Sequence, residues 1–527
     1  MRKILMLVFC LLTGITQLWA QSKEVTGKVT DSRDGSPLAG VTIKVKGTST
    51  VALTDAAGVF KVSFTGGRAT LVFSYVGFEE TEYTVTGGSI NVSMVAGTKN
   101  LNEVIITGFG SQIKRDVTGN IARVKGKDIE NMPTPTVDAA LQGRAAGVYV
   151  NSQSGKLGQA VSVRVRGNSS ISAGNQPLYV VDGVPITTNS QSNYGGATNP
   201  LADLNPNDIE TIEILKDASA GAIFGSRAAN GVVLITTKKG KSGKTNVSLN
   251  VQTGYSESTR RVPFLNSQQY AELLLEGAKY IDDQFGTPYN DPGSETTYAR
   301  DWMSYFSYGQ WDTDPNKTYE WQDVVFQKGQ YRQADLQMSG GNDKTKFFIS
   351  GQYLDQSGII IGNNLDRVTG RLNLDHKANN WLNLGLTMNV ARTLNRRLPD
   401  DNAFSNPLQS VALMPMTPSK DPNTGLPAGT PPGDVNIPMY YNPQITVDYA
   451  KYLQESFRTF SNGYATIKLL PGLIFQSDFG FDLLNQQEES YFQSQTVRNQ
   501  TRAGRGLGTN RATFVTNYNT NNYFQLY

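Results

Sequence analysis

Apolar and polar residues alternate along most of this chain, and the length of the alternating runs changes from one part to the next. Between residues 24 and 96 the runs are short: Glu24–Thr30, Val41–Lys46, Val59–Phe64, Ala69–Tyr75, Glu80–Val85 and Ile90–Met94. Turns such as DSRDGSPLAG (Asp31–Gly40) and TDAAG (Thr54–Gly58) separate them. Short strands at regular spacing with Gly/Asp turns predict a small β-sandwich. From about 115 to 240 the periods are mixed, which predicts an α/β unit. Thr136–Gly143 reads as a short helix stopped by Gly143. Val161–Gly167 alternates, with its valines on one face and Arg164 and Arg166 on the other. Pro177–Gly183, Asp208–Leu215 and Gly231–Thr237 read as strands, and Ala218–Ala228 as a small-residue helix or turn.

Past residue 245 the runs lengthen to about ten residues, as in the strands of outer-membrane barrels, though a large soluble β-protein would alternate too. They are Thr245–Ser256, Gln330–Gly340, Lys344–Gln356, Arg367–Asp375, Trp381–Arg392, Ser456–Leu470, Ile474–Leu484 and Glu489–Val497, with a ninth starting near Arg511. Phe347, Ile349, Gly351 and Tyr353 share one face. Tyr331, Tyr353, Trp381, Phe457, Tyr464, Phe475 and Tyr491 fall near strand ends, as an aromatic girdle requires. Polar insertions near 256–329 and 399–452, crowded with Pro, Asn, Asp and Gly, read as extracellular loops.

The junction Gly231–Val251, GVVLITTKKGKSGKTNVSLNV, invites a phosphate-loop reading. The pattern fails: Lys238 stands where the first Gly belongs, and the segment after Thr245 has a strand period where an anion-holding helix is needed. It reads instead as a flexible basic linker.

Composition narrows the function. The chain has 527 residues, enough for several domains, a net charge of +3, and 18% charged residues. That balance gives no footprint for nucleic acid. Arg2 and Lys3 before the apolar run Ile4–Leu12 read as a signal peptide over residues 1–20, so the protein is exported. The one cysteine, Cys10, lies in that peptide, which excludes disulfides, thiolate metal sites and cysteine nucleophiles from the remainder. No later apolar run is long enough for a membrane helix, so insertion would be as a β-barrel. The one histidine, His376, cannot supply a catalytic zinc site or a Ser-His pair alone and reads as a surface or rim residue. The adjacent acids Asp282/Asp283, Asp400/Asp401 and Glu488/Glu489 read as loop solvation, or as weak sugar or Ca²⁺ contacts. The sequence thus points away from an enzyme, with no catalytic residue, metal or cofactor.

VTGKVTD, PLAGVTIKVKGT, TDAAGVF and SYVGFE resemble the carboxypeptidase-regulatory-like domain. RVRGNSSISAGNQPLYVVDGVPI and IETIEILKDASAGAIFGSRAANGVVLITTKKG resemble the plug domain of TonB-dependent outer-membrane receptors, of the SusC/RagA branch. The resemblance implies a mainly β protein: a carboxypeptidase-regulatory-like β-sandwich (24–96), an α/β plug domain (115–240) and part of a transmembrane antiparallel β-barrel (245–527). LNEVIITGFG (101–110) falls where the family carries its TonB box, with Glu103, Val104, Ile105, Ile106 and Thr107 at its centre, though it departs from the usual box. From the residues alone it is either one more sandwich strand or an exposed strand offered to a partner sheet.

The family implies residence in the outer membrane of a Gram-negative, Bacteroidota-like bacterium, in contact with its lipid. It implies active uptake of a large nutrient, an oligosaccharide or a peptide. Its partners would be a SusD-like surface lipoprotein and the TonB–ExbB–ExbD energy complex. A surface binding or adhesion receptor without active transport is the alternative. Arg164 and Arg166 would either bond plug to barrel wall or stabilise the plug internally. The aromatic-rich stretch with Trp302, Tyr305, Phe306, Tyr308, Trp311, Tyr319 and Trp321 would stack sugar rings or pack a long loop onto itself. About nine strands are too few to enclose a plug, since small barrels are filled by their own side chains. The barrel is therefore expected to continue past Tyr527.

Overall fold

A computed structural model of the chain describes residues 22–95, 104–107, 110–113 and 121–526, apart from 49, 76–77, 134–135, 153, 172–173, 193–195, 218–220, 399–405, 431–441 and 497–504. The signal peptide, the flank Gly97–Asn100, Glu103 and the pair Asp400/Asp401 lie outside the described residues. The chain divides into two compact units, the first of residues 1–105 and 112–118 and the second of residues 106–111 and 119–527.

The first unit is a sandwich. Its strands are β1 (Ser22–Asp31), β2 (Thr42–Val45), β3 (Val51–Leu53), β4 (Val59–Thr65), β5 (Ala69–Ser74), β6 (Thr81–Val85) and β7 (Gly88–Met94). They form two sheets, ordered β4-β1-β7 and β3-β2-β5-β6. Alternation does the folding: Phe60, Val62 and Phe64 of β4 point inward onto Ile43, Leu71 and Phe73, while the residues between them face water. Gly27 has no alternative in β1, because a Cβ there would sit 1.8 Å from the Ile90 carbonyl oxygen. The short strand β3 was not anticipated. β8 (Val104–Thr107) pairs with β9 (Gly110–Ile113) in a sheet of their own, not with the sandwich.

The second unit holds an α/β domain and a wall of long strands. The domain has β10 (Ile121–Lys125), β11 (Val148–Ser152), β12 (Val161–Val165), β13 (Leu178–Val181), β14 (Val184–Pro185), β15 (Ile209–Leu215) and β16 (Val232–Thr237). Five form a sheet in the order β10-β15-β16-β13-β14, and β11 pairs with β12. Ile209, Ile212, Ile214, Val233 and Ile235 are buried in its core.

The wall is an eight-stranded antiparallel sheet in sequence order: β17 (Gly243–Ser256), β18 (Gly329–Gly341), β19 (Thr345–Ser357), β20 (Asn364–Lys377), β21 (Leu382–Arg396), β22 (Ala450–Leu470), β23 (Leu473–Phe492) and β24 (Leu507–Leu526). The expected break between Ile474–Leu484 and Glu489–Val497 does not exist: β23 runs unbroken through Asn485, Gln486, Gln487 and Glu488, while the strand expected near Arg511 is β24. Gln486 and Glu488 are wall positions facing a polar interior and Asn485 and Gln487 take the opposite parity, so the stretch is strand and not a loop. One strand face is turned to the α/β domain and is polar, and the other is exposed and apolar, as in Leu336, Ile349, Val368, Phe457 and Phe479. The girdle is corrected at two residues. Tyr331 and Tyr464 fall on the inward parity, where the Tyr331 hydroxyl bonds Gln333 and the Tyr464 hydroxyl bonds Asp375.

The insertions are not simple loops. Ser267–Phe285 and Glu295–Phe306 are helices. Asn266 and Gln269 make a capping box at the first. Asp282, buried at its far end, accepts from Glu295 N at 2.8 Å and Thr296 N at 3.0 Å and so caps the second. These backbone bonds hold its carboxyl below the ordinary carboxylate value despite burial, so this acid is a structural cap. Trp302, Phe306 and Trp311 pack with Met303, Met414 and Met416, and the Trp321 indole donates to the Met414 carbonyl at 3.1 Å. Of the two readings of this aromatic stretch, self-packing describes these residues.

Candidate functional site: a polar seam between domain and wall

The segment Asn199–Asp208, NPLADLNPND, makes one group of contacts with the wall. Two Asn-Pro turns shape it. The Asn199 side chain accepts from Leu201 N at 2.9 Å and that of Asn205 from Asn207 N at 3.0 Å, each followed by Pro at the first 3₁₀ position. The turns leave carbonyls and amide side chains pointing at the wall. Arg458 of β22 donates to Pro200 O at 2.7 Å and Thr187 O at 3.1 Å while pairing with Asp482 of β23 through two bonds of 2.7 and 2.8 Å. Arg367 of β20 bonds the Ala202 carbonyl and Gln352. Asp335 of β18 accepts from Asn205 and Asn207, both at 3.0 Å. Asp203 accepts from Thr393 at 2.7 Å and Ser456 at 3.2 Å.

A second contact lies at the left-handed Asp182 that turns β13 into β14. Asp182 accepts from Thr237 N at 3.0 Å and pairs with Arg371 of β20 at 3.1 Å. Arg371 also lies 3.6 Å from Asp208, with its guanidinium 5.5 Å from the ring of Phe460, a wall residue that enters the domain's apolar core. Arg397 reaches Ser192 at 2.6 Å and the Gly196 carbonyl, and pairs with Glu488 at 3.1 Å.

Burial raises the carboxyls of Asp203 and Asp208 above the ordinary range. Arg458, with the hydroxyls of Thr393 and Ser456, opposes it for Asp203, and Arg371 does for Asp208. Among the described residues no three His, Cys, Asp or Glu side chains group as a metal site. The carboxylates here are matched to arginines and amides across a boundary, an arrangement suited to holding two bodies together.

Arg164 and Arg166 are not part of this seam. Arg166 pairs with Asp217 within the same domain, and no described contact joins Arg164 to the wall. The strand β12, which carries Arg164 and ends just before Arg166, pairs with β11, apart from the sheet whose turns meet the wall. The paired acid Glu488/Glu489 divides as strand parity requires: Glu488 inward to Arg397, Glu489 outward to Lys451 at 2.8 Å. His376 is exposed at the end of β20, its ring 2.8 Å from the Thr345 hydroxyl. The basic junction is bound, not free. Lys238 donates from its backbone to Asp208 O at 2.8 Å and pairs with Glu130 at 2.9 Å, and the strand β17 that follows excludes a phosphate loop.

Sequence comparison matches residues 113–232 to the TonB-dependent Receptor Plug Domain and residues 25–106 to the CarboxypepD_reg-like domain. The chain is 32% identical over its whole length to TonB-dependent receptor P3 of Formosa agariphila, covering 48% of that protein. It is 33% identical to TonB-dependent receptor SusC of Bacteroides thetaiotaomicron over 71% of this chain and 34% of that one. The chain belongs to the SusC/RagA-type TonB-dependent receptors. The solved structure of the RagAB peptide transporter agrees, with a TM-score of 0.64 at 25% identity over 77% of this chain and 45% of that chain. The α/β domain is thus the receptor's plug, and the long-strand sheet is its barrel portion. The chain spans between a third and a half of the length of these relatives.

Proposed function

We propose that the receptor is an outer-membrane transporter that moves a large nutrient, of glycan or peptide class, when TonB pulls on the segment Glu103–Thr107. The seam is the observation that carries this reading. Its plug is fixed by charge-assisted and amide bonds, with one aromatic, Phe460, crossing into the plug core. Such bonds hold a body in place yet exchange for water when it moves, whereas a large apolar interface resists rehydration. The strand β8 supports the handle role: it lies before the plug and among the described residues pairs only with β9, so its other edge suits strand addition. The exposed apolar face of the wall supports residence in a bilayer, and the TonB–ExbB–ExbD complex supplies the energy. The SusC and RagAB likeness supports a SusD-like surface lipoprotein as partner. A transporter of this kind has no catalytic step.

Deleting residues 103–107 from the full-length protein should abolish energy-dependent accumulation of substrate and leave surface binding unchanged. Accumulation at the wild-type rate would defeat the transport mechanism in favour of a binding receptor.

A further inference from the structure

The exposed face of the wall differs between its two ends. At the end where short turns join β18 to β19, β20 to β21 and β22 to β23, that face carries Leu384, with the exposed Trp381 in the turn just before it. At the other end, where the insertions leave, it carries charges paired across strands: Arg332–Asp355 at 3.7 Å, Arg392–Glu455 at 2.7 Å and Lys451–Glu489 at 2.8 Å. In this belt a cavity of about 830 Å³ opens between the strand ends and the helix Pro443–Tyr449. Lys328, Arg396, Arg397 and Lys451 line it, with Leu394, Leu453 and Val447, and no carboxylate is among the described lining residues. Arg396 shares its strand face with Leu394 and Arg392, opposite Arg397, which turns inward to Glu488.

We propose that this cavity binds the phosphorylated headgroup of a membrane glycolipid. Four cations in one lining fit a phosphate, for which the planar guanidinium of Arg396 and the ammonium groups are suited donors, although Asp366 of the neighbouring strand is near enough to act on Arg396. Arg396 is exposed and makes no described ion pair. Lys328 and Lys451 pair with Glu257 at 3.6 Å and Glu489 at 2.8 Å, but both pairs are exposed and therefore weak competitors. The apolar residues suit the start of an acyl chain, which a soluble anion lacks. The level is right as well: the cavity lies past the apolar band, on its charged side, where a headgroup lies and where basic clusters read anionic lipid. Leu394, Arg396, Lys451 and Leu453 reach the cavity from the outward face, while Arg397, bonded to the plug, closes its inner side.

The inference rests on the outer-membrane reading above. The test is to purify the full-length protein from outer membranes in mild detergent and count retained phosphorylated glycolipid by native mass spectrometry. Arg396→Ala with Lys451→Ala should lower retention about tenfold or more. Arg396→Lys with Lys451→Arg should preserve it. Heat-dependent gel mobility identifies variants that fold. Equal retention in folded alanine variants overturns the proposal, as does equally tight binding of dephosphorylated glycolipid to the unaltered protein. Displacement of glycolipid by an equal concentration of inorganic phosphate overturns the commitment to a lipid. Absence of the protein from outer-membrane fractions defeats the earlier reading, whereas presence there without glycolipid defeats this one alone.

Discussion

Single residues in the seam work by matched burial. Arg458 and Asp482 are each about 1% exposed, and losing one partner of such a pair costs about 3–5 kcal/mol because the other charge stays buried. Asp138 is different, because no cation pairs with it in the described contacts. Both of its oxygens accept from the Asn199 amide, at 2.8 and 3.0 Å, and Asn199 in turn caps the first Asn-Pro turn of the seam. Burial raises this carboxyl above the ordinary range, with Thr136, the Ala139 amide and Asn199 opposing. A raised folded-state value means the native plug takes up the proton more readily than the unfolded chain. Stability from this group is fully present below the ordinary carboxylate value of about 3.9 and is lost as pH rises through the raised one. Thermal unfolding of the purified protein should therefore show a plug transition that moves up as pH falls from neutral toward that value. Asp138→Asn should flatten the shift. Asp282 acts with opposite sign in a lower window: its carboxyl is held down, so its cap is lost only as pH falls below the ordinary value.

At the scale of elements, strands with one dry face were the legible part. The sandwich strands β1, β4 and β5 and the wall strands β17 to β22 lie within a few residues of where alternation puts them, because period-2 burial is written directly in the sequence. Reading failed where polarity stood for something else. Asn485–Glu488 was taken for a break, yet those residues alternate between a polar interior and the exterior of one strand. The helices of the first insertion were missed among Pro, Asn and Gly, although the cap Asn266 with Gln269 was visible in the sequence. The seam was missed for a deeper reason. Asn199-Pro200 and Asn205-Pro206 announce turns, but nothing local says that the turned carbonyls meet arginines some 160 to 260 residues further on. The basic junction likewise reads as a linker only until its neighbour is known. A Cβ on Gly240 would lie 2.3 Å from Phe347 N and 2.6 Å from Phe347 O, so the chain runs hard against β19. Gly240→Ala should thus destabilise plug docking by about 1–3 kcal/mol, the usual effect of overpacking. Faster proteolytic release of the plug at constant barrel mobility on a gel would register it, and an unchanged release rate would mean the junction has slack.

At the scale of the whole molecule, the wall separates two environments by strand parity alone. On β19, Ser350 and Gln352 face the plug, and Gln352 joins the bonds to Asn205 and Asp335. Between and beside them Ile349 and Tyr353 face out, beside Met338 and Leu372 of the neighbouring strands in the case of Ile349. A shift of one residue would exchange the faces, so the register carries the assignment of lipid side and plug side. If the outward face meets a bilayer, a cation at Ile349 must be pushed into hydrocarbon, at about 2–4 kcal/mol near the midplane and close to zero near an interface. Ile349→Arg in the full-length protein should then lower folding stability in lipid bilayers by about that amount. The exchange Arg332→Lys, in the charged belt, should change it by well under 1 kcal/mol. Equilibrium folding into bilayer vesicles by denaturant titration measures both. The contrast between the two positions is the informative quantity, because a water-facing β-sheet would tolerate arginine at Ile349 as readily as lysine at Arg332.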